Sequence, residues 1–289
     1  MKKLMLLAVL AAISLTTYAQ VGVGTATPHA SAALDITSTT SGLLPPRMTQ
    51  TQRNAISTPM AGLMVYCTDC GANGEPQYYN GTSWLNMVGG TAAPPTSTVL
   101  IASGVSKVFL AHNLGADNSL DAHTPVQGIH GNYYQWGRIG SVANASTSSD
   151  AIGGWNTVPA DDGAWADGSK TATDPCPAGF RVPTRAQWDG VLAYNTVSRT
   201  SNNSWAAGDA NFGSAIHWGP NESTKNLTLP AAGYRSSSNG ALSSRGNFGY
   251  YWSSTEPGAN ADYLYFYSSL ASSSSYVRAD GYSVRCVSE

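Results

Sequence analysis

Apolar positions recur with a period of two in short runs along most of the chain, the spacing of half-buried strands. Such runs cover Ala33 to Ile36, Gly62 to Tyr66, Gln77 to Tyr79, Trp84 to Met87, Val99 to Ile101 and Lys107 to Leu110, punctuated by Gly, Pro or Asn. Asn80-Gly81, between two of them, predicts a hairpin, because a tight turn needs the positive backbone angles that Asn and Gly tolerate. Helical spacing is confined to two places. Thr49 to Ile56 predicts one short turn. The stretch DPCPAGFRVPTRAQWDGVL, Asp174 to Leu192, predicts a full helix. Thr184 as N-cap with Gln187 three residues on makes a capping box, and Trp188, Val191 and Leu192 form one apolar face that should pack on a sheet.

Two regions break the pattern. Ile139 to Thr173 is long and polar, with acids at Asp161, Asp162 and Asp167, and its tryptophans, Trp155 and Trp165, predict that part of it folds back and packs. Gly249 to Val287 opens on the aromatic run Tyr250, Tyr251 and Trp252 and closes on the alternation of Val284 and Cys286, which predicts a final strand. Between them stand almost only Tyr, Ser, Ala, Asp and Asn. Tyrosine gives broad, rigid, amphipathic contact area at low entropy cost, and Ser and Asn give adaptable hydrogen bonds, so this composition suits a recognition surface. A Ser-rich hairpin with a polar outer face has the same composition.

Residues 1–19 carry Lys2 and Lys3, an apolar run from Leu4 to Leu15 and a small-residue end at Ala19. This is the pattern of a secretory signal peptide, too short for a membrane span. No cysteine follows the run to take a lipid anchor, and no later segment predicts a membrane span. Without the leader, 13 basic residues face 17 acidic ones, a net charge of −4 with His neutral. That charge gives no electrostatic reason to bind nucleic acid. Charged residues make only 11% of the chain, while Gly, Ser, Thr, Asn and aromatics are plentiful. Such a composition suits an extracellular, strand-dominated protein, secreted to the cell surface or periplasm. About 270 residues exceed one small core. The Pro94-Pro95 pair within GGTAAPPTST marks residues 89–98 as a linker between a small β-rich head module, residues 20–88, and a larger domain, residues 99–289.

Cys67 and Cys70 form a C-x-x-C whose following GANGEP cannot begin a helix, so the helix N-terminus that activates a redox thiol is missing. No second ligand pair for zinc stands nearby. A local disulfide is the leading expectation, with free thiols or redox or metal chemistry as alternatives. With those two paired, Cys176 and Cys286 are left for each other. Their bridge would close a loop of about 110 residues, a stabilisation of about 4–5 kcal/mol in the chain-entropy account, and tie the helix to the terminal strand.

The passages ALDITSTTSGLLPPRMT, QRNAI, AGLMVY and YYNGTSW resemble a module at the head of many secreted Bacteroidetes proteins and of some tail-fibre-like proteins. The resemblance implies a small display or attachment module that forms homo-oligomers, and it implies no catalytic role. Farther on, NLGA, YQWGR, DPCPAGFRVPTRAQW, LTLPAAGYR, GYYWSST and SVRCV, in this order over roughly Phe109 to Val287, resemble the family named for the major paralogous domain of Fibrobacter succinogenes. That family is similar to the C-type-lectin-like fold. The resemblance therefore implies an α+β domain of mixed antiparallel sheets with one or two helices and long loops. In it the N- and C-terminal strands pair, a helix packs on them, and a disulfide joins a helix to the last strand. It also implies secretion and surface display, with an unidentified protein or glycan as ligand. A narrower resemblance is to proteins ending in this fold that a diversity-generating retroelement varies by randomising adenines in a 3′ repeat. It implies that Asn260, Asp262, Tyr263, Tyr265, Tyr267, Ser269, Ser272, Ser274 and Tyr276 contact ligand and that Trp252, Phe266, Val284 and Cys286 are fixed frame.

The same fold is that of formylglycine-generating enzymes, whose chemistry needs reactive cysteines, whereas the cysteines here have structural uses. No G-x-S-x-G or H-E-x-x-H occurs, and His29, His112, His123, His130 and His217 are scattered without metal-ligand spacing. Catalysis, cofactors and a resident metal are not expected. Sugar-binding C-type lectins hold calcium through a Glu-Pro-Asn loop and a Trp-Asn-Asp strand; this chain has Glu256-Pro257-Gly258 and no such triplet. Asp161, Asp162 and Asp167 predict a solvated acidic loop rather than a cation site. The expected function is recognition of an external protein or glycan. The alternative is a structural, pilus-like surface component whose C-terminal domain mediates assembly.

Overall fold

The computed structural model describes residues 20–71, 74–87, 94–201 and 204–289. The expected signal peptide and the first half of the expected linker lie outside the described residues. The chain divides into two compact units between Pro45 and Pro46.

In the first unit β1 (Val21–Val23) pairs in parallel with β2 (Leu34–Ile36). The connection is pinned by side chains: Asp35 Oδ2 accepts from His29 N at 2.9 Å, and Gln20 Nε2 donates to Ala30 O at 3.0 Å. Two strands alone cannot enclose an apolar face. Val21, Val23 and Leu34 are accordingly half exposed or more.

The second unit opens with a four-stranded sheet in the order β3 (Arg47–Met48), β4 (Met64–Cys67), β5 (Glu75–Tyr79) and β6 (Trp84–Asn86). The short helix α1 (Gln50–Asn54) starts at a capping box, Thr49 Oγ1 accepting from Gln52 N and Gln52 Oε1 from Thr49 N. The hairpin between β5 and β6 turns at Asn80-Gly81, but through a longer connection than a two-residue turn. Asn80 Oδ1 accepts from Thr82 N and Ser83 N, and Gly81 takes the positive φ, 99°. Cys67 and Cys70 are bridged.

Beyond it run β7 (Thr96–Ala102), β8 (Val105–Leu110), β9 (Asn132–Gln135), β10 (Ser141–Asn144) and β11 (Phe180–Arg181). The helix α2 (Arg185–Tyr194) follows. Then come β12 (Thr196–Arg199), β13 (Ala215–Gly219), β14 (Leu227–Pro230), β15 (Tyr234–Arg235) and β16 (Leu242–Ser243). The last five are β17 (Gly249–Trp252), β18 (Asn260–Phe266), β19 (Ala271–Val277), β20 (Gly281–Ser283) and β21 (Val287–Ser288). The architecture is α+β and rich in strands. The largest sheet follows the path β10-β9-β20-β17-β18-β19, with β15 joined to β20 and β16 to β15. A second sheet has the order β11-β21-β8-β7, so strands far apart in sequence pair, Val287 opposite Phe109; the third is β12-β13-β14.

Helix α2 has the capping box its sequence predicts, Thr184 with Gln187. Its Trp188 and Val191 enter a core with Phe109, Ile216, Trp218, Tyr251, Leu264 and Phe266 on one face of the largest sheet. Gly190 would ordinarily weaken a helix by about 1 kcal/mol against Ala. Here a Cβ would lie 1.8 Å from Ile101 O, so glycine is what lets α2 lie on β7. A second core, with Trp136, Trp165, Trp252, Tyr282 and Val284, covers part of the sheet's other face. Trp165 thus folds back as predicted, and Trp155 packs at Gly240, where a Cβ would meet its ring at 2.3 Å.

Val284 and Cys286 do not lie in a strand, contrary to what their alternation predicts. They form the crossing from β20 in the largest sheet to β21 in the second. Leu114 N donates to Val284 O and Leu110 N to Cys286 O, so the crossing is held by the segment around the end of β8. Arg285 between them is just as buried, which a half-buried strand would not allow. Its guanidinium donates to the carbonyls of Leu110, Ala111 and Thr228 and to Asn113 Oδ1, and burial lowers its pKa to about 10. The Cys176–Cys286 bridge fastens the same crossing to the chain ahead of α2.

Candidate functional site

Side chains alternate across a strand, so β17, β18 and β19 offer two unlike faces. Tyr251, Leu264 and Phe266 point into the core under α2. On the opposite face the register sets Tyr265 between Tyr250 and Ser272, and Tyr263 between Trp252 and Ser274. Tyr276 continues this row at the rim, 52% exposed. Tyr267 prolongs it past the end of β18, its ring 5.0 Å from that of Phe248, and Ser269 is exposed in the turn beyond.

Asn260 and Asp262 have the other parity and stand apart from the tyrosines. Asp262 is 2% exposed and pairs with Arg185 at 3.3 Å, at the start of α2. Burial raises its pKa, and the bond and charge of Arg185 oppose that rise. The Asn260 carbonyl accepts from Arg278 Nε at 3.3 Å. The residues expected as frame, Trp252, Phe266, Val284 and Cys286, are fully buried.

Beside Tyr263 the face sinks into an open cleft of about 190 Å3, lined by Tyr234, Tyr250, Tyr263, Tyr276, Asp280 and Tyr282. Some of its rings meet at steep angles, Tyr234 and Tyr250 at 69° with centroids 5.1 Å apart and Tyr263 and Tyr282 at 68° and 5.1 Å, while Tyr250 is inclined to Tyr282 by only 32°. Tyr282 stacks on Trp252 at 4.0 Å, so the second core fixes the cleft from below. Asp280 Oδ1 accepts from Ser237 N at 2.6 Å and Oδ2 from Tyr282 Oη at 3.0 Å. Burial raises the Asp280 pKa, with the Ser237 and Tyr282 bonds opposing it. Burial also pushes up Tyr250, Tyr263 and Tyr282, so their phenols stay protonated at neutral pH and can donate.

The sequence reading misses Tyr234, Tyr250, Asp280 and Tyr282 as site residues. A local signal exists, since in GYYW one tyrosine must face away from its buried neighbour. Their convergence, however, follows from the order of β15, β20, β17 and β18 in the sheet, which no local pattern carries.

The acids of the long polar stretch act separately. Asp162 pairs with Arg278 at 2.8 Å, and Asp167 accepts from Ser254 Oγ and Thr255 Oγ1. Arg278 also pairs with Glu256 at 3.1 Å and lies 4.6 Å over the Trp136 ring, so these charges tie loops to the sheet. His112, His130 and His217 are buried, and desolvation lowers each pKa to about 4. Among the described residues Cys67, Asp69 and Cys70 come within metal-ligand distance of one another, but both sulfurs are spent on the disulfide.

Residues 22–99 match the phage tail like trimerisation region, and residues 96–288 match the Fibrobacter succinogenes major domain. No curated protein and no solved structure matches the chain significantly. Among the described residues no helix is long and apolar enough to cross a membrane. The two matches fit a surface or structural protein with an oligomer-forming N-terminal region. Because the second match spans well over half of its residues, the chain belongs to the Fibrobacter succinogenes major domain family.

Proposed function

We propose that this protein is a secreted, non-enzymatic surface protein that recognises an external protein or glycan through the tyrosine and serine face of β18 and β19. The observation that carries this reading is the sidedness of the hairpin. Tyr263, Tyr265, Tyr267, Ser272, Ser274 and Tyr276 share one face and an accessible surface, while Phe266 is sealed on the opposite face and Trp252, beside Tyr263, under the second core. Tyrosine rings supply stacking area and their hydroxyls, with those of serine, supply hydrogen bonds, a combination found at protein recognition surfaces. A C-type-lectin-like fold is supported by the pairing of β8 with β21, by α2 packed on β7, and by the bridge from the approach of α2 to the final crossing. Trimerisation through the N-terminal region would present several copies of the surface at once and raise avidity.

The test applies labelled protein to arrays of immobilised glycans and extracellular proteins. The Y263A/Y265A/Y267A variant is expected to lose array binding while keeping its unfolding temperature and oligomeric state. Full binding by that variant would remove the site, and no binding by the unaltered protein on either array would count against recognition itself. Diversification by a retroelement is supported by the split between the accessible candidates, which leave out the buried Asp262, and the sealed frame. Sequencing the 3′ end of the gene across a population should then find substitutions concentrated at adenines in codons 260–282.

A second reading, a structural surface component whose C-terminal domain mediates assembly, is favoured by the match to the phage tail like trimerisation region. Under it the triple variant fails to assemble, measured by light scattering, instead of losing an external ligand.

A further inference from the structure

We propose that the tyrosine cleft is an organic-cation site that takes an alkylammonium group, such as a lysine side chain or a choline-type headgroup, with Asp280 as its counter-charge. The proposal rests on the recognition reading above and names the ligand chemistry for one part of that surface.

Two aspartates of the same sheet region contrast. Asp262 and Asp280 are both 2% exposed. Asp262 has Arg185 as a cation partner, whereas among the described residues no cation pairs with Asp280. Neutral donors, Ser237 N and Tyr282 Oη, hold it instead. The nearby arginines are committed elsewhere. Arg278 is paired with Asp162 and Glu256, and Arg235 donates to the carbonyls of Thr147, Ser148 and Gly240 beneath the Tyr133 ring. A buried carboxylate without a cation is costly, and an incoming cation relieves that cost.

The walls suit the same guest. Five tyrosines surround Asp280 in the cleft, and aromatic faces attract cations through their quadrupoles. Tyr234 stands steeply to Tyr250 and Tyr282, and Tyr263 to Tyr282, so the walls turn around a compact, rounded group instead of forming the one flat platform on which a sugar ring stacks. A space of about 190 Å3 admits an ammonium head with its first few carbons and leaves the rest of the ligand to the open tyrosine and serine face. The cleft thereby supplies a charged anchor within a surface that is otherwise neutral.

Isothermal titration of the whole protein tests this with matched pairs of probes. Choline is compared with its neutral isostere 3,3-dimethylbutan-1-ol, and Nα-acetyl-lysine amide with Nα-acetyl-norleucine amide. A cation should bind about tenfold or more tightly than its isostere, the preference expected from a desolvated cation–π and ion-pair site. Which of the two cations binds identifies the source, a headgroup or a protein side chain. Asp280→Asn should abolish the preference while keeping the fold, because the amide oxygen can still accept from Ser237 and the amide nitrogen can donate to Tyr282. Tyr250→Leu should weaken the cation through loss of one wall.

Equal binding of cation and isostere, no binding of either cation, or an unchanged preference in Asp280→Asn would overturn the cation site. If the cations fail while Y263A/Y265A/Y267A still loses array binding, recognition stands and only the ligand chemistry is wrong. If array binding survives that triple variant, the recognition surface itself is wrong.

Discussion

The two faces of β17 to β19 share one backbone, and residues one position apart in sequence serve opposite ends. On the α2 side Phe266 lies against Tyr251, Trp205 and Trp218, and Leu264 is fully buried beside it. On the other side Tyr263 and Tyr265 rest on the sheet with their outer surface open. Both faces are aromatic, so hydrophobicity alone does not separate them. What separates them is cover: a helix and a neighbouring sheet close the first, while only part of the second lies under the core around Trp136 and Trp165. Substitutions on the first face should therefore act on stability and those on the second on binding.

Removing the bridge at the final crossing should have the largest effect. Replacing Cys176 and Cys286 with Ser is expected to lower stability by about 4–5 kcal/mol, measured by guanidinium unfolding, without changing affinity per folded molecule. Next, Phe266→Ala should cost about 3–5 kcal/mol, since the ring is fully buried and its loss leaves a cavity. An effect below about 1 kcal/mol would mean that the α2 side is less tightly packed than its burial implies.

Acidification should test the buried histidines without mutation. His112, His130 and His217 have folded pKa values near 4 against 6.5 in the unfolded chain. The unfolded chain therefore takes up protons first, and stability falls as pH drops from about 6.5 toward 4. Between pH 7 and 5.5 the loss should be about 1 kcal/mol per histidine. The raised carboxyls of Asp262 and Asp280 act in the opposite sense, because the folded protein binds their protons first on acidification. Denaturant midpoints that stay flat from pH 7 to 5.5 would contradict buried neutral imidazoles. The smallest stability effect is expected at Tyr265→Ala, below about 1 kcal/mol, next to the large one at Phe266. Array binding, not unfolding, should register it.

The sequence made some of this visible. The capping box at Thr184 is local chemistry, and α2 starts where it predicts, while α1 falls within the short turn expected over Thr49 to Ile56. Period-two burial in β18 is local as well and sets Tyr263, Tyr265 and Tyr267 on one face, although the candidates came from composition and the resemblance. The same rule separates Asp262 from them, but composition drew it into the candidate set. Val284 and Cys286 misled for a different reason: the apolar letters alternate, but Arg285 between them is buried as well, so the alternation is one of residue type and not of burial. Tyr234 and Asp280 lie 46 positions apart and meet through β15 pairing with β20, Arg235 opposite Gly281. Pairings of that kind are set by the closing of the whole sheet.

That closing has a kinetic side. Residues 281–288 supply interior strands to two sheets at once, β20 between β9 and β17 and β21 between β11 and β8. Lys107 Nζ reaches Ser288 O across 181 positions, so the second sheet waits for almost the whole domain to be made. Contacts of such separation slow folding and forbid stepwise completion from the N-terminal side. A chain emerging from a ribosome or an export channel should therefore remain open until these eight residues arrive. A product cut short before residue 281 would carry two split sheets with bare strand edges, and quality-control proteases would meet it as unfinished protein.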